Sequence, residues 1–120
     1  MSVTLSVSTR SVDGCTVVSV AGDVDISTSP ALRTALAEAT ASGGRPVVVD
    51  LTDVPFLDST ALGVLVGAFN ATRHTGDRFA IVTDHEAVLK VLRITALHDV
   101  LGAHPTVAEA IRAVTEQVQA

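Results

Sequence analysis

The stretch PVVVDLTDVPFLDSTALGVL, residues 46–65, joins a buried strand to a capped helix. Residues 46–51 form a short, unbroken run rich in β-branched side chains, which is typical of a strand covered on both faces in a partly parallel sheet. Asp58 and Ser59 both favour a helix N-cap, and the apolar positions after them recur at helical spacing: Leu62, Leu65, Val66 and Phe69. The stretch therefore predicts a strand–loop–helix unit of an α/β sheet.

The chain before this unit predicts a hairpin and a first helix. Residues 3–9 alternate apolar and polar side chains, Asp13-Gly14 predicts a turn, and residues 15–21 form a second strand, so the chain should begin with an antiparallel hairpin. With Ser29 as its N-cap and Pro30 as its first residue, a helix follows and ends at glycine residues 43 and 44.

The chain after this unit continues the alternation. Gly76 ends the second helix, and residues 79–83 predict another buried strand, followed by a helix that ends near Thr95 and a short strand at 99–102. Thr106 caps a last helix, whose apolar face is Val107, Ile111, Val114 and Val118. The predicted fold is therefore α/β, a mixed sheet with an N-terminal antiparallel hairpin and then parallel strands, covered by about four α-helices, in a single domain over residues 1–120.

Composition excludes several classes of function. The chain has 120 residues and a formal net charge of −5, and its eight lysines and arginines are spread along the sequence. Nucleic acids and anionic membranes both need clustered basic residues, so neither is an expected partner. No stretch has the pattern of a signal peptide or the ~20 apolar residues of a membrane span, which makes the cytoplasm the expected location.

The residues that most often hold metals or act as nucleophiles form no pattern of their own. Cys15 is the only cysteine and lies among valines, so we expect a small buried hydrophobe. The four histidines have no metal-ligand spacing and are expected to be solvated or partly buried: His74, His85, His98 and His104. The sequence predicts no metal and no cofactor.

Acidic residues gather where strands are predicted to end. Asp23 and Asp25 follow the second strand, Asp50 and Asp53 lie around the end of the third, and Asp58 begins the second helix. Polar groups at the carboxyl ends of strands in α/β sheets are often functional. For any single one of these residues, capping a helix or solvating a loop is the simpler interpretation.

Asp58, Ser59 and Thr60 stand in a row, although a helix needs only one such cap. At a helix N-terminus, free N–H groups and the positive end of the helix dipole favour a phosphate, so a hydroxyl there suits modification by a kinase. From spacing alone, a plain N-cap is the favoured role of Ser59. Gly63 and Gly67 lie four apart in the same helix and predict close packing against a neighbour.

Three short motifs resemble the STAS-domain anti-sigma factor antagonists. The run Asp58-Ser59-Thr60-Ala61-Leu62-Gly63 is similar to their Asp-Ser-Ser/Thr-Gly-Leu-Gly signature. Gly22-Asp23-Val24-Asp25 is similar to their Gly-Glu-Leu-Asp turn, and Val48-Val49-Asp50-Leu51 to the strand before their phosphosite. The likeness covers essentially the whole chain. Ala61 stands where the family usually has glycine, and its methyl would weaken or re-target a close approach of a kinase backbone.

The resemblance implies a bacterial, non-enzymatic regulator of transcription that works by partner switching. The dephosphorylated protein would bind an anti-sigma factor that is also a serine kinase with its own bound nucleotide, and so release the sigma factor. The kinase would phosphorylate Ser59, with Thr60 as the less favoured acceptor, and a serine phosphatase would remove the phosphate. The implied partner-binding residues are Asp23, Asp25, Asp58, Ser59, Thr60, Ala61, Leu62 and Gly63.

Three other functions remain open. A receiver-type domain would be phosphorylated on Asp50, with Asp23 and Asp25 holding magnesium, but the only lysine, Lys90, falls in a predicted helix and not after the last strand. A hydrolase using Ser59 lacks a Gly-x-Ser-x-Gly motif and an assignable histidine base. A scaffold or transporter-associated STAS domain is the closest alternative, and partner binding that depends on phosphorylation would distinguish the two.

Overall fold

The computed structural model describes residues 5–41 and 43–116, which form a five-stranded sheet with helices on both faces. The strands lie side by side in chain order: β1 (Ser6–Val12), β2 (Cys15–Ala21), β3 (Val47–Asp53), β4 (Phe79–Val82) and β5 (Ala103–His104). The helices are α1 (Ser29–Ala41), α2 (Ser59–Thr75), α3 (Glu86–Ile94), α4 (His98–Leu101) and α5 (Val107–Thr115). β1 is antiparallel to β2, and the later neighbours are parallel. The predicted α/β class and mixed sheet are confirmed, with α4 as a one-turn addition to the four predicted helices.

The sheet has a hydrophobic core on each face. Successive side chains of its central strands point to opposite faces, and both sets are buried. In β3, Val47, Val49 and Leu51 belong to the larger core, whereas Val48 belongs to the smaller one. Helices α1 to α4 complete the larger core, and α5 alone covers the smaller. Right-handed connections between strands added in one direction place their helices on one face, which explains this division.

Cys15 lies in the smaller core and is fully buried, as the sequence predicted. Burial, with a smaller contribution from the nearby Asp13 carboxylate, raises the pKa of the Cys15 thiol. A raised pKa keeps the sulfur in its unreactive thiol form, since the thiolate is the nucleophile. The side chain therefore contributes packing to the fold.

The N-terminal hairpin is confirmed, but β1 ends three residues later than predicted, at Val12 instead of residue 9, while residues 3 and 4 lie outside the described part. Asp13 and Gly14 both have positive φ, 50° and 82°, as the tight two-residue turn of a hairpin requires. Pairing therefore continues up to the turn, where Val12 faces Cys15. The turn decides where β1 ends, and the apolar–polar alternation does not.

The predicted strand at residues 99–102 is wrong. His98–Leu101 forms the single helical turn α4, which buries Leu101 in the larger core, and the strand follows at Ala103–His104. Gly102 separates them with φ 72°, and a Cβ there would lie 3.3 Å from the Phe79 carbonyl oxygen. A glycine is required at this position because the chain turns in a left-handed conformation against β4.

Two helix ends that the sequence predicted from capping residues are confirmed, and one differs. Gly76 ends α2 in a left-handed conformation, and Thr106 caps α5 by accepting a hydrogen bond from the Glu109 N–H. Helix α1 begins at Ser29 itself, so Ser29 is a buried first residue and not the predicted N-cap. On α5, the predicted apolar face holds for Val107, Ile111 and Val114, and Val118 lies outside the described residues.

Within the described part of the chain, Gly63 and Gly67 do not pack closely against a neighbour, contrary to the sequence prediction. Both are exposed, and a Cβ built on either would meet nothing within 4 Å. We therefore expect Gly67→Ala to raise the free energy of unfolding by about 0.5–1 kcal/mol, because alanine restricts the unfolded chain and fits the helix without strain. Urea denaturation measures this change.

The matched control is Gly102→Ala, which places the same methyl group at a left-handed position against a backbone oxygen. This variant should lose stability where Gly67→Ala gains it. A Gly67→Ala protein that unfolds at lower urea concentration than the unsubstituted chain would contradict the open environment of this helix face.

Candidate functional site

Three loops follow the parallel strands β2, β3 and β4 at one edge of the sheet. Together with the start of α2 they comprise residues 22–28, 52–60 and 83–86, which we call the loop face. In open α/β sheets, ligands and partners are bound at the carboxyl ends of the strands. The loop face contains the acidic positions predicted at strand ends, except for Asp50, together with Ser59.

Backbone hydrogen bonds tie the first two loops to each other. The Gly22 N–H donates to the Asp53 carbonyl at 3.0 Å, and the Val24 N–H donates to the Phe56 carbonyl at 3.0 Å. In return, the Asp58 N–H donates to the Val24 carbonyl at 3.2 Å. The pairing between β2 and β3 thus continues past both strands and fixes the segment that enters α2.

Asp58 is the N-cap of α2. Its backbone is extended, and its Oδ1 accepts a hydrogen bond from the Ala61 N–H at 3.0 Å. Ser59 is the first residue of the helix and is exposed. The interpretation of Ser59 as a plain N-cap is therefore wrong, because the N-cap is Asp58. The Ser59 hydroxyl lies at the helix N-terminus but does not cap the helix.

The next residues of the motif divide between surface and core. Thr60 is half-buried and Gly63 is exposed, so both can contact a partner. Ala61 is fully buried and Leu62 is 7% exposed, and both belong to the larger core. Helical spacing turns these two side chains inward, and the predicted partner-binding role of Ala61 and Leu62 stays a prediction. The Ala61 methyl is therefore covered by the core and is not open to solvent.

Asp25 has a structural role in the chain, and its predicted partner-binding role stays a prediction. Its Oδ1 accepts hydrogen bonds from the N–H and hydroxyl groups of Ser27, at 2.9 and 2.7 Å, and from those of Thr28, at 3.1 and 3.2 Å. These hydrogen bonds lower the pKa of the Asp25 carboxyl. The bond from the Ser27 hydroxyl contributes most, and the bond from the Thr28 N–H contributes next. This carboxylate organises the turn that enters α1. Asp23 is exposed at the same loop.

The third loop joins the other two through His85. This half-buried side chain donates from Nε2 to the Thr52 carbonyl, at 2.7 Å. A carbonyl oxygen only accepts, so the bond requires a proton on Nε2. His85 therefore links the start of α3 to the segment before Ser59, and it is partly buried as the sequence predicted for the histidines.

The geometry does not fit a receiver-type domain. Asp50 lies within β3 and its Oδ1 accepts a hydrogen bond from the Thr52 N–H at 3.0 Å. The strand order runs 1-2-3-4-5 with an antiparallel first strand, whereas the receiver-like order is 2-1-3-4-5. Among the described residues, no three histidine, cysteine, aspartate or glutamate side chains are grouped so that they could hold a metal ion.

Two exposed apolar side chains of the loop face escaped sequence reasoning. Ile26 is 74% exposed and Phe56 is 48% exposed. A signal for both exists in the sequence, since each is a large apolar residue among polar loop residues and outside every helix or strand pattern. Their significance depends on exposure, which the pattern alone does not give.

The loop face is also uniformly acidic in its charged residues. The three segments contain no lysine or arginine, and they contain six carboxylates: Asp23, Asp25, Asp53, Asp58, Asp84 and Glu86. Glu86 lies 4.0 Å from the Arg93 guanidinium of α3, so the other five carry the acidic character. A surface with one sign of charge attracts a partner of the opposite sign and speeds its approach. In the described ranges, no helix combines the length and the apolar character that crossing a bilayer requires.

Comparison with known proteins gives the same class of relatives by sequence and by structure. The family model of the STAS domain matches residues 6–110. The anti-sigma-B factor antagonist of Listeria monocytogenes is 31% identical over 101 residues, which are 84% of this chain and 88% of the relative. That of Bacillus subtilis is 33% identical over 84 residues, 70% of this chain and 76% of the relative. The crystal structure of an anti-sigma factor antagonist from Mycobacterium paratuberculosis superposes with a TM-score of 0.87 at 30% identity, covering 93% of this chain and 95% of that one.

Proposed function

The chain belongs to the STAS domain family, and on that premise we propose that it is an anti-sigma factor antagonist. Unphosphorylated, it binds an anti-sigma factor that is also a serine kinase with its own bound nucleotide, and so releases the sigma factor. Phosphorylation of Ser59 by that kinase ends the binding, and a serine phosphatase restores it. This regulation takes place in the cytoplasm, and the domain occupies residues 1–120.

The main observation behind this proposal is that Asp58, and not Ser59, is the N-cap of α2. The Asp58 carboxylate caps α2, so the adjoining serine hydroxyl is exposed at the helix N-terminus without serving as the cap. A kinase can modify such a hydroxyl without removing a structural hydrogen bond of the helix. The free N–H groups and the positive end of the helix dipole tolerate the phosphate that results.

The surface around Ser59 supports the choice of partner-binding residues. Asp23, Asp58, Thr60 and Gly63 lie on or beside the loop face with part of their surface open to a partner. Backbone pairing holds the β2–α1 and β3–α2 loops in place before any partner arrives. A preorganised surface loses little conformational entropy on binding, which favours a tight complex.

The test is phosphorylation by the candidate anti-sigma factor kinases of the source organism. Each kinase is incubated with the chain and ATP, and the modified residue is identified by mass spectrometry. We expect one phosphate, on Ser59, and none in a Ser59→Ala variant. The Thr60→Ala variant is the matched control, and it should be phosphorylated like the unsubstituted chain. Phosphate on Thr60 alone, or on neither hydroxyl with any kinase, would overturn the proposal.

A further inference from the structure

We propose that Ile26 and Phe56 are the apolar contact through which the loop face binds the anti-sigma factor, an inference that rests on the proposed function. We call these two side chains the apolar pair. The partner would present an apolar pocket for this pair and a basic rim around it. Neither residue belongs to the motif that surrounds Ser59.

Exposure is the first argument for the apolar pair. Among the described residues, four large apolar side chains are classed as exposed, and two of them lie on the loop face. Ile26 follows β2 and Phe56 follows β3, so each comes from a different loop. Exposed apolar residues on neighbouring loops of one face mark an interaction site more often than scattered single ones do, and the two loops are joined by the hydrogen bond from the Val24 N–H to the Phe56 carbonyl.

Fixed position is the second argument. The Phe56 carbonyl accepts a hydrogen bond from the Val24 N–H, two residues before Ile26. On the other side of Ile26, the Asp25 carboxylate fixes the turn through its bonds to Ser27 and Thr28. Both members of the pair therefore extend from backbone that is already ordered, as residues that dominate binding energy usually do.

Charge is the third argument, and it identifies the occupant. The loop face has no lysine or arginine, and each of its three segments carries an exposed carboxylate: Asp23, Asp53 and Asp84. Interfaces commonly have an apolar centre and a polar rim. Complementarity then requires lysine or arginine side chains around an apolar pocket on the partner. A second copy of this chain would bring carboxylates against carboxylates at this face.

The experiment measures the Kd of the unphosphorylated chain for the anti-sigma factor kinase that phosphorylates it, by isothermal titration calorimetry. Ile26→Ser and Phe56→Ala are each expected to weaken binding at least about tenfold. The matched control is Ile94→Ser, because Ile94 is 73% exposed against 74% for Ile26. Ile94 lies at the far end of α3, about 12 Å from the loop face along the helix axis, and its substitution should leave the Kd unchanged.

Salt dependence separates the apolar contact from the charged rim. Ile26→Ser should weaken binding by the same factor at low and high salt, whereas Asp23→Asn should flatten the dependence of Kd on salt. Thermal melting of each variant checks that the fold is retained, which we expect because all four substituted residues are exposed. If the kinase binds and phosphorylates the chain but the Kd of Ile26→Ser and Phe56→Ala equals that of Ile94→Ser, the apolar contact is wrong and the proposed function stands. If no kinase binds the unsubstituted chain, both fail.

Discussion

Phosphate on Ser59 is expected to weaken binding of the anti-sigma factor by at least about 100-fold without changing the fold. At an assumed separation of about 5 Å, a phosphoserine and one carboxylate repel by roughly 1.5 kcal/mol in open solvent, at an effective dielectric of ~80. When a partner excludes water and the effective dielectric falls to ~20, the same repulsion rises to roughly 6 kcal/mol. The repulsion is therefore larger in the complex than in the free protein and opposes binding, provided that the partner's basic side chains face Asp23 and Asp84 and do not reach the phosphate on Ser59.

The surroundings of Ser59 make this mechanism specific. Asp58 adjoins it, and Asp23 is exposed on the loop that is bonded to the same segment. The positive end of the α2 dipole stabilises the phosphate by about 0.3–2 kcal/mol, which offsets only part of the repulsion. A net cost of about 3 kcal/mol corresponds to roughly 100-fold in Kd.

The measurement compares the Kd of the phosphorylated and unphosphorylated chain, with Ser59→Asp as a variant that carries a single added charge. We expect Ser59→Asp to bind at least about tenfold more weakly than the unsubstituted chain and to keep its circular dichroism spectrum. Asn70→Asp is the matched control, because Asn70 is exposed on the same helix, about 16 Å from Ser59 along its axis. Unaltered affinity in Ser59→Asp would exclude the electrostatic mechanism.

The helix ends and central strands were predictable because their causes are local in the chain. Asp58, Gly76 and Thr106 each act on backbone groups within a few residues, and the β-branched run at residues 47–51 has a composition that favours a buried strand. The segment 98–104 was mispredicted because a short apolar run does not distinguish a strand from a helical turn. There the tertiary approach of Gly102 to β4 decides the outcome.

The sequence predicted which residue types form the site, but it did not predict which of their side chains are exposed. The consecutive residues Asp58, Ser59 and Thr60 predict a helix N-terminus, but the sequence does not identify which of them is the N-cap. The structure assigns the cap to Asp58 because its extended backbone places Oδ1 on the Ala61 N–H. Ile26 and Phe56 were missed because their orientation depends on pairing between two loops that are distant in sequence.

Leu57→Ala is expected to lower the free energy of unfolding by about 2–5 kcal/mol, a large part of the ~5–15 kcal/mol that stabilises a domain. Leu57 is 2% exposed and lies in the larger core. It immediately precedes the N-cap of α2, and the buried Leu62 occupies the fourth helical position, so the two form the arrangement known as a hydrophobic staple. Leu57 also pairs with Val24 across the two loops.

Leu65→Ala is the matched control, because it removes the same atoms from a fully buried position further along α2. Urea denaturation should show a comparable loss for both variants. Native-state hydrogen exchange should separate them, since the Val24 and Asp58 amides, which bond across the loops, should exchange faster in Leu57→Ala than in Leu65→Ala. Equal exchange would mean that Leu57 supports only the general core. Faster exchange would show that one buried side chain holds in place the backbone that carries both Ser59 and Phe56, so Leu57→Ala should also weaken partner binding where Leu65→Ala does not.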